Sequence, residues 1–112
     1  MQIREEKEGA VLVLTVSEVL DSLTSPEFEA RLLRYIDAGE HSLLLDCSGV
    51  HYMNSAGLKA LLLAMKRLEA VGGKIVICGL DSNVQTVFEL TGFDRLFAIK
   101  ADRSEARAAF PA

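Results

Sequence analysis

Two rhythms of apolar and polar residues alternate along this chain. Residues 11–14, 43–45 and 75–77 are apolar at consecutive positions, the pattern of strands covered on both faces. Between these runs the apolar residues recur at helical spacing. "IREEKEGAVLVLTV" predicts two strands, 3–7 and 10–16, joined at Glu8-Gly9, where glycine supplies the positive φ of a tight hairpin. "TSPEFEARLLRYIDAG" predicts a helix with Phe28, Leu32, Leu33 and Ile36 on one face. Its start has two readings, a Thr24–Glu27 capping box or a Ser25 cap with Pro26 at the first helical position, and Gly39 stops it. "SLLLDC" and "KIVICG" predict the third and fourth strands. "DSNVQTVFELTG" predicts a helix with the capping-box pair Ser82 and Gln85 and a stop at Gly92. Phe97 and Ile99 mark a last short strand, and Asp102 with Glu105 caps a short final helix.

The predicted order is β-β-α-β-α-β-α-β-α, with about four helices in one domain over residues 1–112. Strands alternating with helices give an α/β fold with a mixed, mostly parallel sheet, to which the N-terminal hairpin adds an antiparallel edge. The turns that follow parallel strands gather at one end of the sheet, where function concentrates in open α/β folds. "HYMNSAGLKALLLAMKRLEA", residues 51–70, crosses such a turn.

Within that stretch a helix is predicted with Leu58, Leu61, Leu62, Met65 and Leu68 toward the core. Lys59, Leu63, Lys66, Arg67 and Ala70 fall on the opposite side, a basic stripe with one leucine in it, and Gly72 suits the left-handed stop. Asn54 and Ser55 stand where the strand hands over to this helix. Either side chain suits a helix cap, and a serine so placed is also displayed for modification.

Composition narrows the function classes. The chain has 112 residues, half apolar and a quarter charged, which is ordinary globular composition. A net charge of −4 argues against sequence-independent binding to nucleic acid, which draws on Lys and Arg neutralising phosphates. "MQIREEKEGA" has no apolar leader-like run, and the apolar run 60–65 is far too short to span a bilayer, so no direct membrane insertion and a cytoplasmic location are expected. Cys47 and Cys78 lack metal or redox spacing and read as buried thiols.

Catalysis by Ser55 would need a base within reach, a group orienting it and oxyanion donors. Met53 stands where the G-x-S-x-G elbow needs its leading glycine, and His51 has no evident third partner. Gly72-Gly73 follows a helix rather than a strand, so it is no phosphate loop, and no cluster has metal-ligand spacing. No catalytic residue, metal or cofactor is assigned.

The stretch "LLLDCSGVHYMNSAGLKALLLAMKRLEAVGGKIVICGLDSNVQTVFELTGFDRLFAI" resembles the core of the STAS domain family, and the short chain is similar to a stand-alone bacterial anti-sigma factor antagonist. Asp46, Ser48, Gly49, Val50, Tyr52, Met53, Asn54, Ser55, Ala56, Gly57 and Leu58 meet the family pattern in order. The resemblance implies that Ser55 is phosphorylated by an anti-sigma factor with a histidine-kinase-like ATPase fold and restored by a PP2C-type phosphatase. It implies that the unphosphorylated form binds the anti-sigma factor and frees the sigma factor, and that Asp21, Asn54, Ser55, Ala56, Gly57, Lys59 and Leu63 form the partner-binding surface. The chain departs from the pattern twice. Asn54 stands where many antagonists have Asp, and "VSEVLDS" keeps Leu20-Asp21 but lacks the usual Gly and is one residue longer. A second expectation from the same resemblance is a non-phosphorylated STAS subunit of a lipid-transport ABC complex.

Overall fold

The computed structural model describes residues 2–17 and 19–111. Strands β1 (Ile3–Glu8) and β2 (Val11–Val16) form the antiparallel hairpin, with Glu8 paired to Val11. The turn is Gly9-Ala10, one residue beyond the expected join. Gly9 has φ of 62° and Ala10 has no positive φ, the requirement of a II′ hairpin turn. Strands β3 (Ser42–Asp46), β4 (Lys74–Cys78) and β5 (Ala98–Lys100) add in parallel, giving the spatial order β1-β2-β3-β4-β5. Arg4, Glu5, Glu6 and Lys7 are exposed along the β1 edge, and their charges discourage pairing with another strand.

Because each crossover from β2 to β5 steps the same way, right-handed connections place their helices on one face of the sheet. These are α1 (Ser25–Asp37), α2 (Ser55–Ala70) and α3 (Ser82–Thr91). Their buried side chains meet Leu12, Leu14, Val16, Leu43, Leu45, Ile75 and Ile77. The alternate strand residues Val11, Val13, Leu44, Val76 and Cys78 point to the other face, where Ala106 of α5 (Arg103–Ala108) and Phe110 cover them. Two covered faces explain why the strands are apolar at consecutive positions.

Several local expectations shift by a residue or a turn. A one-turn helix, α4 (Phe93–Leu96), adds a fifth helix after Gly92. It carries Phe93 onto Phe88, edge to face at 6.0 Å, with Phe97 5.8 Å from Phe93. Ser25 is the first helical residue of α1 and does not cap it; Thr24 holds the N-cap position without a side-chain cap bond. Asp81, not Ser82, caps α3, accepting from the Val84 amide at 3.0 Å. Asp102 caps α5 as expected, accepting from Glu105. On α2 the buried stripe is Gly57, Leu58, Ala60, Leu61, Ala64 and Leu68, while Leu62 and Met65 are half-buried. Small residues at 57, 60 and 64 let the neighbouring chain approach, and α1 packs against α2. The helix ends as expected at Gly72, with the Gly73 amide bonded to the Leu68 carbonyl at 2.7 Å.

Candidate functional site

The loops at the carboxyl ends of β2 and β3 lock together. Leu20 and Met53 form an isolated parallel bridge. The Leu20 amide donates to the Tyr52 carbonyl and the Asn54 amide donates to the Leu20 carbonyl, both at 3.0 Å. Leu20 is fully buried and Met53 almost so, each worth about 2 kcal/mol of apolar transfer. The bridge is therefore anchored from beneath.

Helix α2 starts directly after this bridge. Asn54 takes the N-cap position and its Oδ1 accepts from the Ala56 amide at 3.0 Å, so of the two sequence options Asn54 is the cap. Ser55 is the first helical residue and exposed, at the positive end of a 16-residue helix. Gly57 is buried in the first turn, and a Cβ there would lie 2.7 Å from Met53 Cγ and 3.0 Å from Leu20 Cβ. Lys59 is exposed one turn beyond Ser55, and Leu63 a further turn on is 36% exposed. Ala56 is half-buried beside the cap. Asn54, Ser55, Ala56, Gly57 and Lys59 thus lie on the first turn and a half of one helix, with Leu63 farther along it.

Asp21 belongs to the opposing loop, immediately after the bridge residue Leu20. Its Oδ1 accepts from the amides of Leu23 at 2.9 Å and Thr24 at 3.1 Å, which holds its carboxyl below the usual aspartate range. Thr24 answers by accepting the Asp21 amide through Oγ1 and donating its hydroxyl to the Val19 carbonyl. The carboxylate of Asp21 thus shapes the loop beside Ser55.

Two further pairs border the site, and sequence spacing gave no sign of either. His51 Nδ1 lies 2.9 Å from Asp81 Oδ2, joining the β3–α2 loop to the α3 cap. The Val84 amide and this imidazole both hold the Asp81 carboxyl low. Among the described residues no hydrogen bond links the His51 ring to the Ser55 hydroxyl. Beneath the loop, burial pushes the Asp46 carboxyl up, but the Ser48 amide at 3.0 Å and the Arg103 guanidinium at 3.1 Å outweigh it and leave it below its ordinary value. Arg103 also donates to Thr15 Oγ1 at 2.7 Å, tying α5 to the ends of β2 and β3. Cys47 and Cys78 are buried; burial pushes both thiols up, Cys78 to about 11. Among the described residues no group of three or more His, Cys, Asp or Glu is placed to hold a metal, and no helix is long and apolar enough to cross a membrane.

What this arrangement offers chemically is an exposed primary hydroxyl on a fixed backbone at a helix N-terminus. The family model described as the STAS domain matches residues 2–106. BtrV of Bordetella bronchiseptica, described as a candidate anti-sigma factor antagonist, is 36% identical over 110 residues, covering 98% of this chain and 95% of BtrV. A Thermotoga maritima crystal structure, also of a candidate anti-sigma factor antagonist, superposes with a TM-score of 0.92 at 21% identity, covering 96% of this chain and 92% of that one. The Bacillus cell fate determinant SpoIIAA in its phosphorylated form superposes with a TM-score of 0.73 at 18% identity, covering 97% of this chain and all of SpoIIAA.

Proposed function

The chain belongs to the STAS domain family, and from that premise we propose that it is a bacterial anti-sigma factor antagonist whose partner choice is set by phosphorylation of Ser55. In this reading the unphosphorylated protein binds an anti-sigma factor with a histidine-kinase-like ATPase fold, freeing a sigma factor. That partner transfers a phosphoryl group to Ser55, and a PP2C-type phosphatase removes it. Both steps belong to the cytoplasm. The protein is the substrate of this chemistry, not its catalyst. The observation that carries the reading is the position of Ser55, exposed at the first residue of α2 and flanked by a loop fixed through the Leu20–Met53 bridge. The 36% identity to BtrV over nearly the whole chain supports the antagonist role.

The geometry supports such a switch. A phosphate brings about −1.5 to −2 charges and three acceptor oxygens. At the start of α2 the first amides have no intrahelical partners, and among the cap bonds only that to the Ala56 amide is made by a side chain. The dipole and these amides favour an anion there, and Lys59 stands one turn on, the spacing of a stabilising charge pair. The fold therefore tolerates the modification. A partner surface closed over the neutral hydroxyl does not, because the added volume and charge must be accommodated or desolvated. A penalty of about 3 kcal/mol changes affinity about a hundredfold. Titration of the anti-sigma ATPase against Ser55→Asp and Ser55→Ala tests this: the Asp variant loses about a hundredfold in affinity while both keep the wild-type melting temperature. Equal binding by the Asp variant contradicts the switch, and copurification with a membrane transporter instead of an ATPase points to a transporter subunit.

A further inference from the structure

Leu23 presents a large apolar side chain to water almost completely, at 89% exposure. It does so from a turn whose backbone is held in place. The Asp21 carboxylate accepts from the Leu23 and Thr24 amides, the Thr24 hydroxyl reaches back to the Val19 carbonyl, and the Ser25 amide donates to the Asp21 carbonyl at 2.9 Å. The next residue before the turn, Leu20, is pinned to Met53. A mobile loop with an exposed leucine needs no explanation, but a leucine held out by this many hydrogen bonds is preorganised for contact.

Two neighbours extend the apolar surface. In the parallel Leu20–Met53 bridge both bridge residues are buried, so the preceding residues, Val19 and Tyr52, lie side by side and point outward. Val19 is 42% exposed and Tyr52 52%. Ser55 follows Met53 by two residues and is exposed on the same rim. Three exposed apolar side chains, Val19, Leu23 and Tyr52, therefore stand on the two loops that the bridge joins, one of which leads into the helix that Ser55 begins.

We propose that Leu23 is the specificity-determining anchor of the partner interface, with Val19 and Tyr52 as its apolar base, and that the partner offers an apolar pocket beside the site that receives the Ser55 hydroxyl. The inference rests on the reading of Ser55 given above and adds to it the residue that chooses the partner. An aromatic or aliphatic anchor seated in a partner's pocket and ringed by polar contacts forms the centre of a specific interface. In this arrangement Ser55 decides whether the partner stays, and Leu23 decides which partner comes.

The test measures the anti-sigma ATPase that binds the wild-type chain, using Leu23→Ala, Leu23→Met and the wild type. Leu23→Ala is expected to raise Kd and the KM for Ser55 phosphorylation about tenfold or more while leaving kcat and the melting temperature unchanged, because the removed atoms touch solvent in the free protein. Leu23→Met, which refills the pocket, is expected to restore affinity to within about threefold. If the wild type binds and is phosphorylated but Leu23→Ala matches it in both Kd and KM, Leu23 is no anchor and only this inference falls. If no such ATPase binds the wild type, the Ser55 reading falls and takes this inference with it.

Discussion

The Asn54 amide donates to the Leu20 carbonyl at 3.0 Å, and through that bond the residue capping α2 is fastened to the loop that leads into α1. The site is thus assembled from two loops 34 positions apart in number, held in register by one bridge that consists of two hydrogen bonds. Gly57 is the residue that lets them meet. Replacing it by alanine gains about 1 kcal/mol of helix propensity. The new Cβ, however, stands 2.7 Å from Met53 Cγ and 3.1 Å from the Leu20 carbonyl oxygen. Both neighbours are buried and cannot give way cheaply, so overpacking costs about 2–3 kcal/mol and wins. Gly57→Ala is expected to lower the melting temperature by about 4 °C or more, read by thermal denaturation. A rise in melting temperature would mean that the two loops are not tightly apposed.

Asn54 separates capping from charge. Asn54→Ala removes the acceptor for the Ala56 amide and is expected to cost about 1 kcal/mol in urea unfolding. Asn54→Asp keeps the acceptor and adds a negative charge at the helix start, so stability is expected to stay equal or rise by a few tenths of a kcal/mol. With the proposed phosphate on Ser55, the same Asp would face a second anion. Its extra stability is therefore expected to vanish once Ser55 carries phosphate, a comparison that needs only the two variants and the same unfolding assay.

Acid sensitivity follows from Asp46. Its folded carboxyl lies below the ordinary value of 3.8, held there by the Ser48 amide and Arg103 against the opposing effect of burial. A depressed carboxyl contributes stability that is present above its unfolded pKa and lost as pH falls through the folded one. Arg103 is partly exposed, so the contribution is about 1 kcal/mol. Asp46→Asn is expected to be less stable than the wild type at neutral pH by about that amount and to converge with it as the pH falls below the depressed pKa of the folded carboxyl. Asp21 and Asp81 are depressed as well, so the variant keeps a shallower acid limb. Parallel pH profiles of the two proteins would contradict this assignment.

The strands were legible because burial on both faces leaves uninterrupted apolar runs such as Leu43-Leu44-Leu45, and a chain order that alternates strand and helix after the hairpin admits few topologies. Helix ends were legible where glycine takes a left-handed turn, as at Gly72. Caps were read one residue late at Ser82 because serine and aspartate are near-equal caps in adjacent positions, and only the backbone tells them apart. Helix α4 lay out of sight: four residues carry no periodicity, and the aromatic packing of Phe93 on Phe88 creates it. The motif placed Asn54 and Ser55 at the helix start, which is a local matter. The Leu20–Met53 bridge, the His51–Asp81 pair and the reach of Arg103 to Asp46 across 57 positions depend on tertiary folding. No local pattern encodes them, and the exposure of Leu23 is visible only once its loop is seen to turn away from the core.

Phosphorylation of Ser55 is open to one direct measurement. The protein is incubated with ATP and the anti-sigma ATPase proposed as its partner, digested, and the peptide containing Ser55 is weighed. An addition of about 80 Da is expected on that side chain, absent in Ser55→Ala and removed by a PP2C-type phosphatase. A fully active kinase that binds the protein and leaves Ser55 unmodified, or that modifies another residue while partner release still occurs, would contradict the proposed switch.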